Sequence, residues 1–228
     1  MISLIPILGL PEFEYGMNIG DEIVKKIDLI TNDVVVVTSK VVSKVEGRLV
    51  PSNSRDEFEK NVIAESRRIL RRRGEMMIVE TNHGFVCANA GIDQSNVPSG
   101  QIALLPKDSD RSARRIRDQI QAISGTKVGI IVSDTFGRAW RRGVTDVALG
   151  VAGVAAIIDL RGSLDANNRE LKVTEVAVAD EIASAAELVK GKAANVAAVL
   201  VRGVDSSYFR ESSVAEEIVR VPSEDLFR

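Results

Sequence analysis

The sequence holds one histidine, His83, and one cysteine, Cys87, among 228 residues. Those counts exclude a zinc site of the His/Cys type, a disulfide framework within the chain and a CxxC redox motif. Aromatic residues make up 4%, with Trp140 the single tryptophan, which argues against a stacking platform for single-stranded nucleic acid. No charge of one sign dominates. Lys+Arg number 30 against Asp+Glu 32, a formal net charge of −2, so no global field draws the chain to nucleic acid or to a membrane. The N-terminal MISLIPILGLPEFEYG lacks a basic segment and a small-residue cleavage site, and Pro6 and Pro11 interrupt it, so it reads as a strand and loop. The longest weakly polar stretch, Val147 to Ile158, spans 12 residues and contains Gly150 and Gly153. That is short of the ~20 residues that cross a bilayer. A soluble, cytoplasmic protein is expected. Two familiar nucleotide devices are missing as well: no GK[ST] follows Gly9 to Gly16, and no GxGxxG follows a strand.

What is present is a chain with 45% hydrophobic and 27% charged residues, long enough for one large domain or two small lobes. Of the 30 basic residues 20 are arginine, whose planar fork grips phosphate and carboxylate in pairs of bonds. The hydrophobic period alternates between helix and strand. Asp21 to Ile30 repeats isoleucine at helical spacing, and Val34 to Thr38 is a β-branched run suited to a strand buried on both faces. Ser54 is placed to cap a helix running to Arg73 and stopped by Gly74. Met76 to Glu80 and Phe85 to Ala88 flank a hairpin turn that holds His83, and Cys87 falls inside the second strand as a small core residue. Ile102 to Leu105 is a short strand. Ser109 or Asp110 caps a helix through Ile123 closed by Gly125, and Lys127 to Ser133 is a second buried strand. Leu171 to Thr174 reads as a strand feeding a helix over Val178 to Val189, and Val196 to Val201 as a third buried strand. The alternation predicts a mixed α/β (α+β) architecture with parallel segments, folded as one unit or as two intimately packed lobes. The polar stretches 91–100 and 159–170 are the expected active loops.

Four segments concentrate chemistry at strand ends. In VTSKVVSKVEGR, Ser39, Lys40 and Lys44 leave the carboxyl end of the Val34 strand, where open α/β sheets bind phosphates. In NAGIDQSN, Gly91 permits close backbone approach, and Asp93 with Asn96 offers hard oxygen ligands for Mg²⁺ or Mn²⁺. In SDTFGRAWRRG, Asp134 and Thr135 pair a carboxylate with a hydroxyl, and Arg138, Arg141 and Arg142 follow within eight residues. Metal donors beside an arginine cluster are what phosphoryl transfer needs. In LVKGKAAN, Lys190, Gly191 and Lys192 end the alanine-rich helix. Each segment also has a plain structural alternative: a solvated turn, an Asx-rich turn or compensation of a helix dipole.

Taken together and in order, LGLPEF, VVVVTSKVVSKVEGRLV, NAGIDQSNV, ALLP, VSDTFGRAWRRG and VTEVAVADEIASAAELVKGK resemble the coenzyme F420 gamma-glutamyl ligase family, from about Leu4 to the strand at 196–203. The likeness is greatest to the N-terminal ligase half of the two-domain actinobacterial form, whose C-terminal nitroreductase-like domain is not in this sequence. A single ligase domain over 1–228, of that family's two-lobed fold, is therefore expected. The resemblance implies a GTP-dependent ligase that joins the lactyl carboxylate of coenzyme F420-0, or its dehydro form, to the amine of L-glutamate through an acyl phosphate, then adds further glutamates by γ-links. It places GTP at Leu10, Pro11, Glu12, Phe13, Ser39, Lys40, Lys44 and Asn96, and at Lys190, Gly191 and Lys192. It places a divalent metal, Mg²⁺ or Mn²⁺, at Asp93, Asp134 and Thr135, with a potassium ion in addition. Lys44 and Asp134 take catalytic roles, and Arg138, Arg141 and Arg142 hold the anionic groups of the substrates. Archaeal members carry a metal-binding glutamate where this sequence has Lys190-Gly191-Lys192. A homodimer is implied, and a separate flavin reductase is a possible partner. Two other functions use the same residues: a non-catalytic subunit that binds GTP or deazaflavin, and a metal-dependent nucleotide phosphohydrolase.

Overall fold

The structure is a computed structural model that describes residues 1–191 and 196–226. In chain order its elements are β1 (Ser3–Pro6), α1 (Ile19–Val24), β2 (Val34–Thr38), α2 (Ser39–Val45), β3 (Leu49–Pro51), α3 (Arg55–Ala64), β4 (Ser66–Arg73), β5 (Met76–Thr81), β6 (Val86–Ala88), β7 (Gln101–Ala103), α4 (Ser109–Ser124), β8 (Gly129–Arg138), β9 (Arg141–Ala152), β10 (Ile158–Asp159), β11 (Glu175–Val176), α5 (Val178–Lys190), β12 (Ala198–Arg202) and α6 (Val214–Glu217). The architecture is mixed α/β, as the alternation predicts.

The main sheet has five strands in the order β1-β12-β2-β8-β9. Its three central strands are the three apolar runs singled out in the sequence. Only β2 and β8 pair in parallel, Val34 opposite Gly129 through Thr38 opposite Ser133; the other neighbours are antiparallel. Side chains alternate across a strand, so the valine run of β2 feeds two cores. Val35 and Val37 join Ile130, Val132 and Leu200 beneath α1, α2 and α4, while Val34 and Val36 join Ile131, Val199 and Val201 beneath α5. Burying one such valine or leucine contributes about 1.5–3 kcal/mol, so these layers set the fold. The close seating of α4 requires Gly150 on β9: a Cβ there would lie 2.1 Å from the Ser109 carbonyl carbon. A smaller three-stranded sheet, β4-β5-β6, packs with α3 around Val62, Met77, Val79 and Ala90.

The structure corrects four of the sequence expectations. The helix capped by Ser54, whose hydroxyl accepts from the Glu57 N–H, ends at Ala64 and not at Arg73. Residues 66–73 instead form β4 paired with β5, and Gly74, at φ 58, turns a hairpin. Only Val62 is buried along α3, so no continuous apolar stripe carries the helix further. Leu171 to Thr174 is irregular, and only Glu175–Val176 pairs, with Ile158–Asp159. The strand expected over Lys127 to Ser133 runs further: β8 continues to Arg138 and returns as β9 in a long hairpin. At the start of α4 the capping side chain is Asp108, which accepts from the Arg111 N–H, and Gly125 closes the helix with φ 70. No helix among the described residues is long and apolar enough to cross a membrane.

Candidate active site

β2 and β8 run parallel, and a cavity opens where β2 ends, with Thr38 opposite Ser133 midway along β8. Its volume is about 560 Å³. Residues 10–13 close one wall, Ser39, Lys40 and Lys44 rise from α2, and Asp93, Ser95 and Asn96 face them from the 91–100 loop. Asp134 and Thr135 extend from β8, and Lys190 and Gly191 arrive from the end of α5. Segments from Leu10 to Ala197 are thus assembled by the topology of one sheet.

The loop at 91–100 holds a defined shape. Asn89, Ala90 and Asn96 adopt left-handed backbone at φ 49, 56 and 53, and the Asn89 side chain accepts from the Met77 N–H at 2.9 Å. Gly91, at φ +69, is needed because a Cβ would come within 2.8 Å of Leu105. The Lys40 ammonium ties this loop to α2, donating to the Ser95 carbonyl at 2.6 Å and hydroxyl at 2.8 Å and pairing with Asp93 at 2.8 Å. Lys44 pairs with Glu12 across the cavity. Both lysines are thus held by carboxylates that an entering anion would displace.

The electrostatics differ between the carboxylates. Burial pushes the Asp93 carboxyl up, but hydrogen bonds from Lys40 and from the Ser95 backbone and hydroxyl outweigh it and hold the group below its usual range. Among the described residues Asp134 has no such cation. Burial pushes it up to about 7, the charges of Asp146 and Asp93 add to the rise, and hydrogen bonds from the Thr135 N–H and the Ser39 hydroxyl only partly offset it. A carboxylate this poorly compensated, next to a hydroxyl, suits a hard divalent cation. Among the described residues no three His, Cys, Asp or Glu side chains converge on one point. A cation held by Asp134, Thr135 and Asp93 would therefore complete its shell with oxygens from outside the chain, as Mg²⁺ sites commonly do.

Ser133, Asp146 and Glu187 also line the cavity and were not singled out in the sequence. Asp146 is fully buried on β9 directly opposite Thr135. It accepts from the Thr135 hydroxyl at 2.6 Å and the Ser133 hydroxyl at 3.2 Å, and it forms an ion pair with Lys190. Glu187 pairs with the same lysine at 3.2 Å. The one signal in the sequence was the polar Thr145-Asp146 pair entering an otherwise apolar run.

Arg138, Arg141 and Arg142 do not line this cavity. An extended strand rises about 3.3 Å per residue, which carries Arg138 roughly 13 Å beyond Asp134. The three arginines sit at the exposed tip of the β8–β9 hairpin, where Arg138 donates to the Arg142 carbonyl at 3.1 Å and Trp140 stands out at 92% exposure. Lys192 lies outside the described residues. The 159–170 loop is not part of the cavity, and neither His83 nor Cys87 lines it. His83 lies against Phe85 in the turn between β5 and β6, and burial pushes the Cys87 thiol up to about 12, too high for a nucleophile.

The model of the F420-0:Gamma-glutamyl ligase family matches residues 8–203. A protein of Methanothermobacter thermautotrophicus named coenzyme F420:L-glutamate ligase is 39% identical, over 100% of this chain and 99% of that protein. The protein of the same name from Methanocaldococcus jannaschii is 36% identical, over 97% of this chain and 95% of its own length. The one from Methanopyrus kandleri is 39% identical over 93% and 92%.

Proposed function

The chain belongs to the F420-0:gamma-glutamyl ligase family, and from that premise we propose that it forms the amide between the lactyl carboxylate of coenzyme F420-0 and the amine of L-glutamate, with GTP as the activating co-substrate. The observation that carries this reading is the convergence of 10–13, Ser39, Lys40, Lys44, Asp93, Asn96, Asp134 and Thr135 on a single cavity.

A carboxylate is a poor electrophile, so the free energy of GTP must enter before the amine attacks. A carboxylate oxygen attacks the γ-phosphorus, the bond to the β-phosphate oxygen breaks, and GDP leaves. The glutamate amine then attacks the acyl carbon, the C–O bond to phosphate breaks, and the amine sheds a proton as phosphate departs. Lys40 and Lys44 exchange their present carboxylate partners for phosphate oxygens, which keeps each ammonium paired throughout. Asp93, Asp134 and Thr135 are the residues that would hold Mg²⁺ or Mn²⁺, which when bound neutralises phosphate charge. Lys190 brings a fixed positive charge to the same wall, from the region where archaeal relatives are expected to carry a glutamate. The arginines at the hairpin tip reach the phosphodiester or the glutamate carboxylates only from outside the cavity. The same reading carries a potassium requirement, further γ-linked glutamates, a homodimer and a cytoplasmic location.

The test is incubation with GTP, Mn²⁺, L-glutamate and F420-0, following product mass and GDP together. Glutamate-dependent GDP release with a product heavier by one glutamyl unit supports the ligase. Release that ignores glutamate would identify a phosphohydrolase, and binding without turnover a carrier subunit.

A further inference from the structure

We propose that Asp146, which no motif singles out, is a positioning residue that turns the Thr135 hydroxyl into a cation ligand and fixes Lys190 beside it. The inference rests on the reading that a divalent cation sits at Asp134 and Thr135.

The register of the β8–β9 hairpin puts Asp146 directly across from Thr135. Its carboxylate accepts hydrogen bonds and cannot donate them. The bond of 2.6 Å from Thr135 Oγ1 to Asp146 Oδ1 therefore commits the hydroxyl's one proton to Asp146. Thr135 then meets the cavity as an electron-pair donor on the same strand as Asp134. Without that acceptor, the bond that directs this proton away from the cation is lost. The other oxygen, Oδ2, accepts from Ser133 Oγ at 3.2 Å and pairs with Lys190, whose ammonium also donates to Ser133 Oγ at 3.3 Å. One carboxylate with no exposure thus sets a hydroxyl and an ammonium on the same wall. Groups that orient a metal ligand from behind typically change metal affinity by about 10- to 100-fold.

The experiment titrates the full chain with Mn²⁺ alone, without nucleotide or substrate, by calorimetry or by the free-Mn²⁺ electron paramagnetic resonance signal. Four proteins are compared: wild type, Thr135→Val, Asp146→Asn and the double variant. Asp146→Asn is expected to weaken Mn²⁺ binding by about 10-fold or more. Because Asp146 acts through Thr135, the same change made on Thr135→Val should weaken binding no further. A merely structural Asp146 would lower the melting temperature in both backgrounds and leave the Mn²⁺ titration of folded protein unmoved. Unchanged affinity in Asp146→Asn, or a loss of equal factor on both backgrounds, overturns the proposal. If Asp146→Asn strands the Lys190 charge and does not fold, Lys190→Met and Lys190→Met/Asp146→Asn supply the same comparison with the ion pair removed. A wild type that shows this coupling but forms no amide would sink the ligase reading alone.

Discussion

Asp134→Asn is expected to stabilise the cation-free protein while it abolishes Mn²⁺ binding and ligation. The carboxyl is raised from its ordinary 3.8 to about 7, chiefly by burial, so the folded state holds a proton that the unfolded chain releases. The folded protein then binds more protons than the unfolded one between those two values, and stability falls as pH rises through that window and stays flat above it. At about 1.4 kcal/mol per pH unit the penalty at pH 8 has an upper bound of about 4 kcal/mol. The cavity admits water to the carboxyl, and screening brings the expected figure to about 2 kcal/mol. Asparagine keeps the acceptor oxygen for the Thr135 N–H and the Ser39 hydroxyl and carries no charge. The variant should match wild type near pH 4 and, at pH 8 in a chelator, melt about 4–8 °C higher, since about 1 kcal/mol moves a chain of this size by about 2–4 °C. Adding Mn²⁺ should reverse the order, because ligand at a hundred times its dissociation constant stabilises wild type alone by about 2.7 kcal/mol. Equal melting temperatures at pH 8, or a less stable variant there, would refute the reasoning that Asp134 is poised for a cation at the expense of the fold.

Three further outcomes follow from the geometry. Asp110 is buried, and its carboxylate accepts from the N–H groups of Val151, Val214 and Ala215 and from the Ser213 hydroxyl, so Asp110→Ala strands several donors; a loss of about 2–4 kcal/mol is expected in urea unfolding. Glu217 is held below its usual range by hydrogen bonds from Arg210, with burial opposing and bonds from the Ser212 hydroxyl and the Ile157 N–H assisting. That stability is present at neutral pH and is lost as pH falls below the ordinary glutamate value of 4.5, so Glu217→Gln should be about 1 kcal/mol less stable at pH 7 and level with wild type in acid. Arg141→Ala should leave the dissociation constant of a fluorescent GTP analogue within about twofold, whereas Lys44→Ala, which removes a cavity ammonium, should raise it tenfold or more.

The legible parts of the fold were those whose signal is local. Val34 to Val37 needs no partner to declare itself a strand buried on both faces, and Gly125 ends its helix by backbone conformation alone. Ser66 to Arg73 is different, because five arginines mask the period and its strand character comes from pairing with Met76–Thr81. The site divides the same way. Asp93 stands in a loop, and Asp134 and Thr135 follow an apolar strand run directly, where their chemistry is visible in place. Asp146 joins them only through the hairpin register, and Arg138, Arg141 and Arg142 leave them through the rise of the strand. Nearness in sequence misleads wherever the chain is extended.

In the proposed reaction this cavity activates a carboxylate with GTP before an amine attacks. That order is tested most directly by supplying F420-0 labelled with ¹⁸O in both oxygens of its lactyl carboxylate, together with GTP, Mn²⁺ and L-glutamate. The expected result is inorganic phosphate carrying one ¹⁸O for every amide formed, since the attacking carboxylate oxygen leaves with the phosphate. Amide formed with unlabelled phosphate would contradict the account.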